Sequence, residues 1–358
     1  MTLTDNSSQK PFVPLGVGSA LFAALLFGVS TPFAKLLLGD VSPVLLAALF
    51  YLGSGIGLTL LYILRPGHST GEAPIARRDI PWLAGALFFG GVLGPVLLMV
   101  GLSTTPASSA SLLLNMESVF TVIIAWFIFR ENFDRRIAIG MVFILAGGIM
   151  LSFRGTNGIS LSGGSLAVIA ACLCWGIDNN LTQKVSASDP VQIAAIKGIA
   201  AGSANFIIAM ILGATLPPIM TAAASMLVGF FCYGISLVLF VSALRRVGTA
   251  RTSAYFSLAP FIGTALSIFL LHESPRASLL IAALFMGTGV WLHLTERHSH
   301  EHTHEPITHN HQHVHDQHHQ HEHIADVDPN EPHSHEHTHE PITHTHPHYP
   351  DIHHRHLH

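Results

Sequence analysis

Between Pro14 and Leu294 the chain repeats one pattern ten times, an apolar run of about 18 to 23 residues followed by a short polar break. A helix of that length crosses the roughly 30 Å of hydrocarbon in a bilayer, and in hydrocarbon only helices and closed barrels satisfy their own backbone groups. The pattern predicts an all-α integral membrane protein. Its spans fall at 15–37, 43–64, 81–101, 107–129, 136–153, 165–186, 191–212, 222–244, 250–271 and 277–294.

Charge orients these spans. Residues 1–297 carry a net charge of +5, and the 61 residues after them carry −9 with histidine neutral. With the N-terminus inside, Lys10, Arg65, Arg77, Arg78, Arg130, Arg135, Arg136, Lys184, Arg245, Arg246, Arg251 and Arg297 fall on the cytoplasmic side. Lys35, Arg154 and Arg276 fall outside, and cytoplasmic loops are the ones that retain positive charge. The expected location is therefore the inner (plasma) membrane, multi-pass, with both termini cytoplasmic. Residues 1–14 are polar with no small-residue cleavage pattern, so no cleaved signal is expected. Cys172, Cys174 and Cys232 all lie in apolar runs without paired spacing and read as packing residues rather than a disulfide framework.

The two halves share landmarks. Phe27-Gly28, Lys35, Asp40 and Ser42-Pro43 return as Trp175-Gly176, Lys184, Asp189 and Pro190. The run Phe127-Ile128-Phe129-Arg130-Glu131 aligns without gaps with Phe269-Leu270-Leu271-His272-Glu273. Five spans is an odd number, so the second copy enters the membrane upside down. That gives two inverted five-helix repeats, 15–153 and 165–294, an architecture that supports alternating access around a midplane site.

These landmarks, with the Gly-rich Leu145-Ala146-Gly147-Gly148, Tyr233-Gly234 and Ala259-Pro260, resemble the EamA-type members of the drug/metabolite transporter superfamily. The resemblance covers nearly all of residues 15–294 and implies secondary transport, usually export. Two departures bear on substrate. The basic residue often found early in the second span of a repeat is Lys197 in the second half, but Phe50-Tyr51 stands there in the first. The proline expected in the fourth span is Ser118, preceded by Glu117. An amino-acid or sugar substrate is therefore not carried over from the resemblance.

Glu117 lies near the centre of the fourth span, where an ionisable side chain costs on the order of 2.5 to 3.5 kcal/mol, so it is expected to face a cavity or a partner. Asn115 beside it is a candidate oxygen ligand, and Met116 reads as packing. In the sixth span Cys174, Asp178 and Thr182 share a helix face at i, i+4 and i+8, a mixed sulfur and oxygen set that suits a divalent cation. Asn179 and Thr182 also fit the role of polar side chains that join membrane helices. The translocation candidates are thus Glu117, Asp178, Asn115, Asn179, Cys174 and Thr182. Glu131 and Glu273 read as helix-end acids held by Arg135 at i+4 and Arg276 at i+3, and Lys35 and Lys184 as side chains that snorkel to the interface.

Residues 297–358 are unlike the rest, with 23 of the chain's 26 histidines after Thr295. His298 to His309 returns unchanged as His333 to His344, so the tail grew by duplication. Without apolar periodicity it is expected to be disordered and cytoplasmic. Neutral imidazole ligates Ni, Co, Zn and Cu ions. His298, His300, His302, His304, His309, His311, His313, His315, His333, His335, His337, His339, His344 and His346 are candidate ligands for several labile ions.

The leading expectation is an exporter of divalent transition metal, nickel or cobalt ahead of zinc, driven by proton exchange. The alternative is export of an organic metabolite with a metal-buffering or regulatory tail. A membrane-tethered metal store without transport gives no reason to bury Glu117 and Asp178. No cofactor is required, and an enzyme is not expected, since no nucleophile and base pair or phosphate loop stands in the loops. The implied partners are membrane lipid and a small solute or metal ion, with no nucleic acid. A homodimer is also admitted.

Overall fold

A computed structural model describes residues 12–64, 75–129, 135–154, 160–186 and 188–295, and four short segments beyond. Among the described residues, ten helices are long and apolar enough to cross a membrane. They are α1 (Leu15–Leu37), α2 (Pro43–Leu64), α3 (Arg77–Thr104), α4 (Ala107–Phe127), α5 (Arg135–Ser152), α6 (Gly163–Val185), α7 (Pro190–Ile211), α8 (Ile219–Val247), α9 (Arg251–Leu270) and α10 (Ala277–Leu294). Proline starts several of them, where its missing N–H has no partner to lose. In α7, Pro190 follows Asp189, whose carboxylate accepts from Val191 N at 2.8 Å.

The packing is reciprocal between the halves. α3 and α4 lie against α6, and α8 and α9 lie against α1. The pairs α2 with α7 and α5 with α10 each join equivalent helices across the centre. At the α2–α7 seam the backbones nearly touch, because a Cβ on Gly198 would sit 2.5 Å from Gly55 Cα. Small residues permit that approach where the hydrophobic effect offers no drive between helices. Large apolar side chains such as Ile63, Phe127, Ile211, Phe269 and Leu284 point outward.

Irregularities repeat as well. α3 contains a π-turn at Leu87–Leu93 and α8 one at Phe230–Ile235. α4 is broken at Leu114-Asn115 and α9 at Ser257-Leu258. α3 and α8 extend beyond the expected 81–101 and 222–244, since a 3-10 turn at Arg77–Asp79 leads into α3 and the π-turns lengthen both runs.

The four segments described beyond Thr295 are short strands. Ser299–Thr303 pairs antiparallel with Thr343–Pro347, and Thr308–His313 with His333–Thr338. His-x-His alternation puts histidine opposite histidine in both ladders, with no apolar face to pack. The imidazoles lie outside the described residues, as do His298, His304, His315, His339 and Glu131 altogether.

Candidate functional site

The sequence candidates divide between a buried polar cluster and the helix packing around it. Asp178 and Lys197 form an ion pair, with the ammonium 2.5 Å from Oδ1 and 2.8 Å from Oδ2. Thr182, one turn after Asp178 on α6, donates to Oδ1 at 2.8 Å, and its hydroxyl also accepts from Lys197 at 3.3 Å. The expected pairing of Asp178 with Thr182 is present, and the cation there is the Lys197 ammonium. Lys197 is almost fully buried at 1% exposure, so the pair is complete without solvent.

Glu117 lies across the same space. The break at Leu114-Asn115 places it at the start of the second half of α4, and Asn179 Nδ2 donates to its Oε1 at 2.8 Å. Asn179 also donates to Thr121 Oγ1 at 3.2 Å, and Asn180 donates to the Thr121 carbonyl at 3.0 Å. Two successive amides of α6 therefore pin α4 at the level of Glu117. Among the described residues no basic side chain pairs with this carboxylate.

Both acids face a narrow cavity of about 60 Å³. Its walls are aromatic, with Phe27, Tyr51, Trp175, Tyr233, Phe240 and Phe256 in one group. Phe27 is the hub, with ring centroids 5.8 Å from Trp175, 5.6 Å from Tyr233 and 5.2 Å from Phe256. A second recess of about 20 Å³ reaches Glu117 past Ser253, whose hydroxyl is buried without a partner. This space suits a few waters, and a solute of drug size needs several hundred Å³.

The π-turn of α3 stands behind three of the lining residues, Asp178, Tyr51 and Trp175. Its widened backbone leaves the Gly90 carbonyl to accept from Tyr51 Oη at 2.7 Å and Trp175 Nε1 at 3.0 Å, and Asn205 donates to the Gly91 carbonyl at 3.1 Å. Gly90 is required here because a Cβ would collide with the Asp178 carboxylate.

Other candidates stand apart. Asn115 sits at the break itself, where its amide donates to Leu112 O at 3.1 Å and approaches Met286 Sδ at 3.9 Å, so it serves helix packing. Met116 is in the apolar core, as expected. Cys174 is buried and free, and does not line the cavity. Among the described residues no three His, Cys, Asp or Glu side chains come together as a metal site.

Two end-of-helix expectations are corrected. Glu273 is not held by Arg276 at i+3; its carboxylate accepts from Ala107 N at 2.7 Å, Ser108 N at 2.9 Å and Ser108 Oγ at 2.5 Å. The free amides at the start of α4 outcompete an exposed ion pair within the connection between α9 and α10. Nor does Lys35 snorkel. It donates to the carbonyls of Leu102 at 2.6 Å and Thr105 at 2.9 Å, closing the end of α3. Lys184, its counterpart, lies 4.5 Å over the Phe129 ring. Between Lys35 and Glu273 opens a vestibule of about 680 Å³, rich in serine and threonine, at the face opposite the arginine-rich helix ends.

Lys197 was visible to the sequence as a landmark but not as the partner of Asp178. The signal was there, since an ammonium inside a span needs an anion close by. Tyr51, Trp175 and Phe27 gave no comparable signal, because an aromatic in an apolar run reads as packing.

Known proteins resemble this chain. A model of the EamA-like transporter family covers residues 14–153 and again 162–295. An uncharacterized transporter of Methanothermobacter thermautotrophicus is 30% identical, over 77% of this chain and 85% of its own. A probable amino-acid metabolite efflux pump of Salmonella typhimurium is 25% identical, over 77% and 93% respectively. A probable terminal-alkyne amino-acid exporter of Streptantibioticus cattleyicolor is 23% identical, over 67% and 83%. A solved crystal structure superposes with a TM-score of 0.60 over 77% of this chain and 95% of that one; at 19% identity this is a likeness of fold.

Proposed function

The chain belongs to the EamA-like transporter family, and from that premise we propose that it is a secondary transporter exporting a small organic ammonium or amino-acid-like solute in exchange for protons. One observation carries the reading, the unbalanced carboxylate of Glu117 in an aromatic cavity. Asp178 and Lys197 cancel each other, so the cluster has room for one positive charge, and Glu117 is where it goes. A proton and a solute ammonium compete for that place. Such exclusive occupancy couples the two fluxes. Aromatic faces around the site attract an organic cation by about 0.5 to 2 kcal/mol and bury its apolar part.

The arginine-rich helix ends orient the protein with that face cytoplasmic in the inner membrane and the vestibule outside. Asp178 lies about two turns before the end of α6 and Lys197 about two turns after the start of α7, so the site is nearer the cytoplasmic end. The Salmonella and Streptantibioticus relatives, a probable amino-acid metabolite efflux pump and a probable terminal-alkyne amino-acid exporter, support this solute class. In this reading the tail regulates transport by binding Ni, Co, Zn or Cu ions, and neither a cofactor nor enzymatic chemistry is needed.

The histidine-rich tail favours a second reading, in which nickel or cobalt is the cargo. Proteoliposomes carrying an imposed pH gradient separate the two. Proton release driven by amines or amino acids, and lost in Glu117→Gln, is the expected result. Flux driven by nickel or cobalt with every amine silent would hand the site to the metal, and an unimpaired Glu117→Gln would remove Glu117 from it.

A further inference from the structure

We propose that Glu273 and Lys35 form a latch that keeps the vestibule separated from the central cavity and must release for solute to leave through this face. The proposal rests on the transporter reading but not on which solute is carried.

Both groups grip the same corner, the turn at Thr105-Pro106 where α3 gives way to α4. Lys35, at the end of α1, takes the carbonyls of Leu102 and Thr105 at 2.6 and 2.9 Å. Glu273, just past α9, takes the two amides and the hydroxyl that begin α4. α1 and α9 pack on each other and each holds this corner, so a movement of α3 and α4 away from that pair must break both grips. Charge-assisted bonds of this kind are about twice as strong as neutral ones, yet they re-form readily at a wet vestibule.

The backbone supplies an independent sign. His272 has φ 51°, the left-handed region that side chains with a Cβ rarely adopt. This turn aims Glu273 at α4, and a strained residue persists where its surroundings hold it there.

The segment gripped is also the partition. Ala107–Leu113 precedes the break at Leu114-Asn115. Ser108 lines the vestibule, Leu114 and Glu117 line the inner recess, and Ser111 between them is fully buried against Gly263. A short helical segment with a break at one end and a hook at the other can swing as a unit.

The test uses full-length protein with Ser111→Cys as reporter and a charged, membrane-impermeant maleimide. The parent without Ser111→Cys reports the background from the three buried native thiols. Glu273→Gln should speed labelling about tenfold or more, the shift expected when a charge-assisted hydrogen bond is lost. Lys35→Met should speed it less, and Glu273→Asp should stay near the parent. Unchanged labelling in cooperatively melting Glu273→Gln and Lys35→Met would overturn the latch. If either substitution unfolds the protein, the pair Ser108→Cys and Glu273→Cys decides. Oxidation to the disulfide should stop exchange and reductant should restore it, whereas exchange at the parent rate through the cross-linked protein overturns the proposal. Labelling needs no solute, so its outcome is independent of the substrate assignment.

Discussion

Asp178 and Glu117 are two buried carboxylates on one cavity, yet their surroundings assign them opposite parts. Asp178 has an ammonium on both oxygens and a threonine hydroxyl besides. Glu117 has one neutral amide on one oxygen. A saturated carboxylate has little left to offer a passing ion, and its removal strands the partner. An unsaturated one can lose its charge without stranding anything, and so can take and give up a proton or a cation. In the proposed exchange the contrast separates a fixed charge, Asp178, from the one free to exchange its partner, Glu117.

The largest effect should fall on Glu117. Glu117→Gln keeps the acceptor for Asn179 and the side-chain volume, so stability should move by less than about 1 kcal/mol while exchange falls below detection. A thermal melt beside the proteoliposome assay reads both. If the melt collapses as exchange does, Glu117 is as structural as Asp178 and the contrast fails.

Asp178 should show the reverse emphasis. Lys197→Met leaves a buried carboxylate uncompensated and should cost about 3 to 5 kcal/mol, and Asp178→Leu should do the same from the other side. Joining the two substitutions should recover most of that loss, because no charge is then left alone. The double variant isolates a useful quantity, since whatever exchange it retains measures how far the ion pair serves the solute rather than the fold.

Gly90→Ala tests the same pair indirectly. The added methyl meets the Asp178 carboxylate, so the cost is that of overpacking, about 1 to 3 kcal/mol. Combined with Asp178→Ala and Lys197→Met, which take away the carboxylate that the methyl meets, it should add less than it costs alone. Full additivity would mean that Gly90 matters to the α3 backbone and not to Asp178.

Much of the scaffold was legible because hydropathy reports membrane spans directly. The ten spans, the repeat landmarks and the isolation of Glu117 all follow from which residues hydrocarbon tolerates. What escaped depends on which helices face one another. Lys197 stands 19 positions from Asp178, on the next span, and periodicity along one helix says nothing of its neighbour. Glu273 was assigned to Arg276 by local spacing, whereas its partners lie some 165 positions earlier at the start of α4. The π-turn at Leu87–Leu93 reads in sequence as an ordinary apolar run, because the donors that meet its carbonyls, Tyr51, Trp175 and Asn205, come from three other helices.

That set of donors yields the smallest and most discriminating effect. The Gly90 carbonyl accepts two hydrogen bonds, so either donor can be removed while the other still satisfies it. Tyr51→Phe should cost about 1 kcal/mol, as should Trp175→Phe beyond the packing lost with the smaller ring. Removing both leaves a buried carbonyl of the π-turn without these partners, and the double variant should lose about 1 kcal/mol or more beyond the sum of the two. Melting temperatures of the four proteins complete the cycle. A strictly additive result would place the support for the π-turn in the α3 backbone itself. A surplus would mean that the π-turn behind Asp178 is held by the same aromatic residues that line the cavity, so that the cavity's chemistry and its shape are set by one group of side chains.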